Sequence, residues 1–386
     1  MENPFNGSSS STYYVEELTP GVTPTNPVWT KLRNTGGIPA ITKDTLQSAE
    51  LDESREVKSI RTGNESAAAD YATELSFGSH DDLFANAMSS DWIAGISQAA
   101  IAMTVTASSK DFTRTDGGSF ISDGVVVGDL VQFKDLTGNN ALPFIATQVS
   151  AGTVNGNAIL LELTDESTTS DYATGDKLGT GNLCKTVSLL THLKGKCGTV
   201  DKYILTNGVE MTGWTLEVAV NAQVTGSFPA IGRAQTIDVA PPTGSTFNPD
   251  NTNRPYTGVD GKIVKDGEAA GGVTSITFTN DNNASPQYVI GSKAVSFVER
   301  GTANNSLSAS AFMFDETDLN DFLNEVIVNI GVILNHPDGG AMSFTVPQTV
   351  LTAATPELGE GSVTIGIEGT GIGDANNSSI VIQRLA

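Results

Sequence analysis

Residues 74–88 read Glu74-Leu75-Ser76-Phe77, then Ser79-His80-Asp81-Asp82-Leu83-Phe84-Ala85-Asn86-Ala87-Met88 after one glycine. Residues 311–326 repeat the phrase as Ala311-Phe312-Met313-Phe314, then Thr317-Asp318-Leu319-Asn320-Asp321-Phe322-Leu323-Asn324-Glu325-Val326. Each copy opens on a short apolar strand. Ser79 and Thr317 then stand where a helix N-cap belongs, and carboxylates follow in the first turn, near its unpaired N–H groups. Ser79 with Asp82 resembles a capping box, and Thr317 precedes Asp318 and Asp321. Upstream, Arg61-Thr62-Gly63-Asn64-Glu65-Ser66 matches Arg300-Gly301-Thr302-Ala303-Asn304-Asn305. A strand-plus-helix unit used twice suits a quasi-symmetric ring better than an enzyme with one active site. Chance similarity between two amphipathic helices is the competing explanation.

Composition narrows the class. The 386 residues can hold two or three domains; only 17% are charged, 40 are Gly, and Ser, Thr and Asn abound, a profile of turn-rich β structure. The net charge of −23 argues against a DNA-gripping surface and against docking on an anionic membrane. The longest apolar stretch, Ile93 to Val105, is broken by Ser97 and Gln98 and is too short to span a bilayer. Met1-Glu2-Asn3-Pro4-Phe5 has no basic or apolar character, so no secretory signal is expected. Cys184 and Cys197 do not make a disulfide framework and read as free thiols of a chain folded in reducing cytoplasm.

Along the chain, residues 1–40 read as an N-terminal arm whose Pro24 and Pro27 forbid a helix. Its Tyr13, Tyr14 and Trp29 need something to pack on, either their own domain or a neighbour. Residues 41–100 and 181–240 read as a first unit. In it two strands, Leu51 to Ile60 and Ala68 to Ser76, flank an Arg61–Asn64 turn, and a hairpin turns at Asn221-Ala222. Residues 101–180 change texture: short strands near 103–106, 124–133, 144–149 and 158–163 suggest an inserted β module closed by an acidic run, Thr164 to Asp176. Residues 241–271 read as a long loop between units. Residues 272–386 form the second unit, with strands 273–279, 294–299 and 306–314, a helix at 318–330, and closing strands at 342–346 and 362–367.

Chemistry finds little purchase. His80, His192 and His336 sit in no paired metal spacing, and there is no Cys-x-x-Cys and no Gly-x-Ser-x-Gly elbow. Gly369-Thr370-Gly371-Ile372-Gly373 lacks the helix and lysine of a phosphate loop. Asn280-Asp281-Asn282-Asn283 lacks the glycine and terminal glutamate of a calcium loop. Lys185, His192, Lys194, Lys196 and Lys202 form one basic cluster, either a solvated hairpin or a patch for an acidic neighbour. No catalytic, cofactor or metal residues are expected.

Several phrases in order resemble the major tail tube proteins of long-tailed bacteriophages. They are Tyr14…Glu16-Glu17…Gly21-Val22-Thr23-Pro24…Pro27-Val28-Trp29…Leu32-Arg33…Thr35-Gly36, then Ile60-Arg61-Thr62-Gly63 and Glu74-Leu75-Ser76-Phe77 with the helix ending near Trp92. Ala309 to Phe314, Phe344-Thr345-Val346-Pro347-Gln348-Thr349-Val350-Leu351-Thr352 and Gly361-Ser362-Val363-Thr364-Ile365 are similar to that family's C-terminal part. Val126-Val127-Gly128-Asp129-Leu130-Val131 and Phe144-Ile145-Ala146-Thr147-Gln148-Val149 resemble a β module found in some members. The resemblance implies a mostly β fold with a few short helices: two tandem sandwich or barrel units, each with one helix, plus the inserted module. It implies a structural subunit, not an enzyme, that forms rings of three (pseudo-sixfold) or of six. The rings would stack into a sheathless tube, made in the host cytoplasm, through which DNA is ejected. Implied partners are the chain itself, tail tip and terminator proteins, and a tape-measure protein then DNA in an acidic lumen, with no membrane. Tyr13, Tyr14 and Trp29 are the expected inter-ring contacts. A secreted or capsid-attached adhesin or decoration protein, and a carbohydrate-active β enzyme, are the rival readings; aromatics at 6% count against the latter.

Overall fold

A computed structural model describes residues 3–49, 56–57, 59–156, 162–197, 199–336, 339–358, 361–373 and 378–386. It is 54% strand and 6% helix, with three helices. The first unit opens with β1 (Phe5–Glu16), β2 (Val28–Leu32), β3 (Ala40–Gln47), β4 (Ile60–Glu74) and helix α1 (Asp81–Met88). A separate sheet follows: β5 (Ser97–Thr106), β6 (Asp111–Arg114), helix α2 (Phe120–Asp123), β7 (Leu130–Phe133), β8 (Phe144–Ile145), β9 (Gln148–Val149), β10 (Thr153–Asn155) and β11 (Glu166–Thr174). The chain returns through β12 (Asp176–Gly179) to β13 (Val187–Gly195), β14 (Lys202–Met211), β15 (Gly213–Ala219), β16 (Thr225–Gly232) and β17 (Ala234–Asp238). Beyond β18 (Thr246–Phe247) come β19 (Gly261–Lys265), β20 (Glu268–Ala269), β21 (Val273–Asp281), β22 (Ser285–Gln287), β23 (Phe297–Glu299) and β24 (Asn304–Phe312). Helix α3 (Thr317–Leu323), β25 (Ile327–Asn335), β26 (Ala341–Glu357), β27 (Thr364–Gly371) and β28 (Val381–Leu385) complete the second unit.

The pairings recur between the units. In the first, β1 pairs β13, β13 pairs β14 and β14 pairs β17. In the second, β19 pairs β25, β25 pairs β26 and β26 pairs β28. Likewise β4 pairs β16 and β16 pairs β15, while β24 pairs β27 and β27 pairs the second half of β26. The units join where β15 pairs β21, from Gly213↔Asp281 to Ala219↔Ser275. One antiparallel row results: β3-β4-β16-β15-β21-β24-β27-β26. Alternation aims Trp214, Leu216 and Val218 of β15 into the core and leaves Thr215, Glu217 and Ala219 on the other face. A single apolar cluster runs under both units, from Tyr14, Tyr71 and Phe84 to Phe344 and Ile382.

Several expectations are revised. The N-terminal 40 residues contribute β1, which lies between β13 and β2, so this segment is part of a sheet. Arg61–Asn64 is no turn: it lies within β4, paired with β3. Residues 51–55 and 58 of the strand expected before it, and 158–161 of the last module strand, fall outside the described residues. The acidic run Thr164–Asp176 contains β11, which pairs both β5 and β7, because Tyr172 and Ala173 turn inward among its polar residues. The 241–271 segment holds β18, β19 and β20. In the expected strand 294–299 only β23 is regular.

The helices differ from their reading too. Ser79 does not cap α1: the N-cap position is His80, and the Ser79 hydroxyl lies against His80 Nδ1 and the Ser76 carbonyl. Thr317 is likewise inside α3, its N–H bonded to Asp315 Oδ1 at 2.9 Å. The helix expected over 318–330 stops at Leu323. Glu325 takes a left-handed φ of 52°, and the β-branched run Val326-Ile327-Val328 enters β25 against β26.

Candidate functional site

The solvent face of the eight-stranded row carries short polar side chains and carboxylates. Register places Glu74 beside Thr225, Thr225 beside Glu217, and Glu217 beside Thr277. The same line continues through Ser308 to Glu368 and Ala353. Three glutamates from three strands thus share one line across the sheet. Asp70, within β4, and Asp281, at the end of β21, alternate onto the same face at exposed positions. Along that Glu74-to-Ala353 line there is no lysine, arginine or aromatic residue. No short sequence motif could reveal this line, because only register brings Glu74, Glu217 and Glu368 together.

Among the described residues the row is open at both ends. On one side β26 runs past its pairing with β25, so that Leu351–Glu357 has β27 on one edge alone. On the other, β4 is bordered by β3 and, lower down, only by the bridge Asn34↔Thr73. Unpaired strand edges are templates for another chain.

Tyr14 and Trp29 are packed inside the subunit. Tyr14 is 4% exposed and donates its hydroxyl to Asp82 Oδ2 at 3.0 Å; burial, with Asp82 beside it, holds its ionisation far above the ordinary range. Trp29 is fully buried, its Nε1–H donating to Ser245 Oγ at 2.9 Å. Tyr13 stays part-exposed, edge-on to the exposed Phe247 with centroids 4.8 Å apart. The segment is anchored by buried Glu17, which accepts from the N–H groups of Gly21 and Gly208 and the hydroxyls of Thr186 and Ser188 at 2.6–2.8 Å.

The basic cluster is divided. Lys185 pairs with Asp91 and Glu16; burial pulls its pKa down, yet those hydrogen bonds leave it raised. His192 and Lys194 share Asp201, whose carboxyl the Lys194 hydrogen bond holds well below the carboxylate range. His80 is buried between Phe228, stacked at 5.8 Å, and the Arg33 carbonyl at 3.1 Å; burial lowers its pKa to about 4, so it is neutral. His336 meets Tyr256 edge-on at 5.8 Å. Cys184 and Cys197 are exposed free thiols. Among the described residues no group of three His, Cys, Asp or Glu could hold a metal, and no helix is long and apolar enough to cross a membrane.

The separate sheet packs on its own core, from Ile101 and Phe112 to Phe133 and Tyr172. Its entry and exit strands are neighbours, Ser97↔Ala173 and Gln98↔Tyr172. It rests on the second unit through Leu130, Ile145 and Ala173 against Val264, Ile333, Ala341 and Leu385. In β25, Ile333 alternates with Val332 and Leu334, which face the main core. The sheet therefore covers the side of β25 away from that core, and the core lies between it and the acidic face. Buried Gln383 seals the contact, accepting from Leu130 N–H at 2.8 Å and donating to the Gly128 carbonyl at 2.7 Å.

A doubled β unit with an acidic face and two open edges is the build of an assembling structural subunit. The sequence matches the phage tail tube protein family over residues 7–371, nearly the full chain, and the chain belongs to that family. It is a structural component of a phage tail. No curated protein matches it.

Proposed function

We propose that three copies close into a ring, that rings stack into the tail tube, and that the acidic face of the eight-stranded row lines its bore. The row itself carries this reading. Strands ~4.8 Å apart and tilted by ~40° give eight of them an arc of about 50 Å. Three arcs make a barrel about 48 Å between opposite backbones, whereas two give about 32 Å and six about 96 Å. Short side chains on the inner face keep the three-copy bore wide enough for a duplex. In the ring, the Leu351–Glu357 edge of one copy pairs with the β3–β4 edge of the next, as β15 pairs β21 within the chain.

Carboxylates on a closed wall repel phosphate, and the glutamate line, which carries no aromatic residue, offers bases nothing to stack on, so a tape-measure protein and then DNA pass without specific binding. The 97–174 sheet lies beyond the core from this face and so projects outward, where it would obstruct a contractile sheath; the tail is sheathless. Tyr13 with Phe247 remains the candidate for contact between rings, and tail tip and terminator proteins cap the ends. Assembly takes place in the host cytoplasm and involves no enzymatic step. Electron cryomicroscopy of assembled tubes tests this: Glu74, Glu217 and Glu368 should face the axis of trimeric rings. A neutral or basic wall, or these residues on the outer surface, refutes it.

A further inference from the structure

Helix α1 is closed from two sides. Its own unit supplies Trp214 and Phe228, edge-on to Phe84 at 5.3 and 5.0 Å. The second unit supplies Phe344, 5.6 Å from Phe84, and Arg384, ion-paired with Asp81. It also supplies Asn282 and Arg300, which donate to the Ala87 and Asn86 carbonyls at 2.6 and 3.3 Å. Asn282 and Arg300 stand at the two feet of the β22–β23 hairpin, and that hairpin reaches on to β4. The Glu65 N–H donates to the Lys293 carbonyl at 2.8 Å, and Lys293 Nζ donates to Thr62 Oγ1 at 2.9 Å. A hairpin of one unit thus covers the last turn of the other unit's helix, and its Asn282 supplies the Ala87 carbonyl with a donor.

Helix α3 has only half of that arrangement. Leu319 and Phe322 pack on the core, and Lys265 holds Asp318 and Asp321 at 2.6 Å. No α3 residue is buried, and Phe314 and Leu323 are 78% and 65% exposed. The strand order identifies what is missing. The β3–β4 hairpin leads into α1 as β22–β23 leads, through β24, into α3. Its Leu46 is 62% exposed and its register partner Arg61 is exposed too. Arg61 also opens the sequence phrase that matches the one opened by Arg300.

We infer that α3 receives the β3–β4 hairpin of a second copy of this chain, repeating between subunits the junction built around α1 within one. Leu46 then covers Phe314 and Leu323, and Arg61 enters the acidic surroundings of Asp315, Glu316 and Glu325, none of which carries an ion pair described above. The two faces differ, so the contact is head-to-tail and closes into a ring or grows as a filament. The inference rests on the tube reading and assigns it a contact.

Two variants test it, Phe314→Asp/Leu323→Asp on the helix side and Leu46→Asp/Arg61→Asp on the hairpin side. All four side chains are exposed, so both variants should keep the wild-type circular dichroism and melting midpoint. By native mass spectrometry each alone should be monomeric where the wild type forms rings. Mixed one to one, they should give heterodimers and nothing larger, since just one intact helix face and one intact hairpin can meet. Variants that form rings as the wild type does, or a mixture that stays monomeric, overturn the inference and leave the tube reading standing. A wild-type chain that never assembles takes down the tube reading itself.

Discussion

Arg384 and Asp81, 303 positions apart in sequence, form an ion pair that ties the last strand to the first helix. Arg384 also lies over the Trp92 ring at 4.4 Å and reaches Asp176 at 3.2 Å, while Trp92 donates to the Asp81 carbonyl at 3.1 Å. The join between the two units is therefore polar at its rim and aromatic beneath.

Removing the arginine should show its weight. The Asp81 side chain is 14% exposed, and its burial already raises its pKa. Arg384→Ala leaves that carboxylate without its cation and should cost about 2–3 kcal/mol at pH 7, read as a lower urea midpoint. The loss should shrink in acid, where Asp81 can take a proton.

Glu17→Ala strips four donors, on Gly21, Gly208, Thr186 and Ser188, of their shared acceptor. Unsatisfied buried donors cost about 1–3 kcal/mol each before relaxation, so a total loss of about 3 kcal/mol is expected. Hydrogen exchange should rise first in β1 and β13.

His80 sets a pH dependence. Its pKa is about 4 in the fold against an ordinary 6.5. Between those values the unfolded chain binds a proton that the folded chain refuses, so stability falls as pH drops from about 6.5 to 4 and is flat above. The full effect is about 3 kcal/mol. Asp81, with a raised pKa, opposes it nearer the carboxylate range. His80→Gln should flatten urea midpoints measured at pH 4.5, 5.5 and 7.

Charge reversal on the acidic face should leave the subunit intact. Glu217→Lys/Glu368→Lys replaces two exposed side chains and should shift the melting midpoint little. Assembled tubes of this variant should retain short duplex DNA at low salt and release it as salt rises; wild-type tubes should retain none.

The sequence exposed the repeated strand-and-helix phrase because apolar spacing and carboxylates in the first turn are local signals. The strand expected over 306–314 corresponds to β24 (Asn304–Phe312), in which Leu307, Ala309 and Ala311 turn toward the core between Ser306, Ser308 and Ser310. The sequence misjudged the end of α3, where Val326-Ile327-Val328 is apolar at a spacing that suits either element and pairing with β26 decides. Tyr14 and Trp29 showed that they needed a partner; that the partner is their own sheet depends on long-range register. The glutamate line was invisible for the same reason.

The β15–β21 joint has a kinetic consequence. Of six equivalent junctions in the proposed ring, three form when each chain folds, at the high effective concentration of tethered halves. Ring nucleation then needs three bodies to meet instead of six, so it varies less steeply with the amount of protein made, and an incomplete circle is missing at most two pieces.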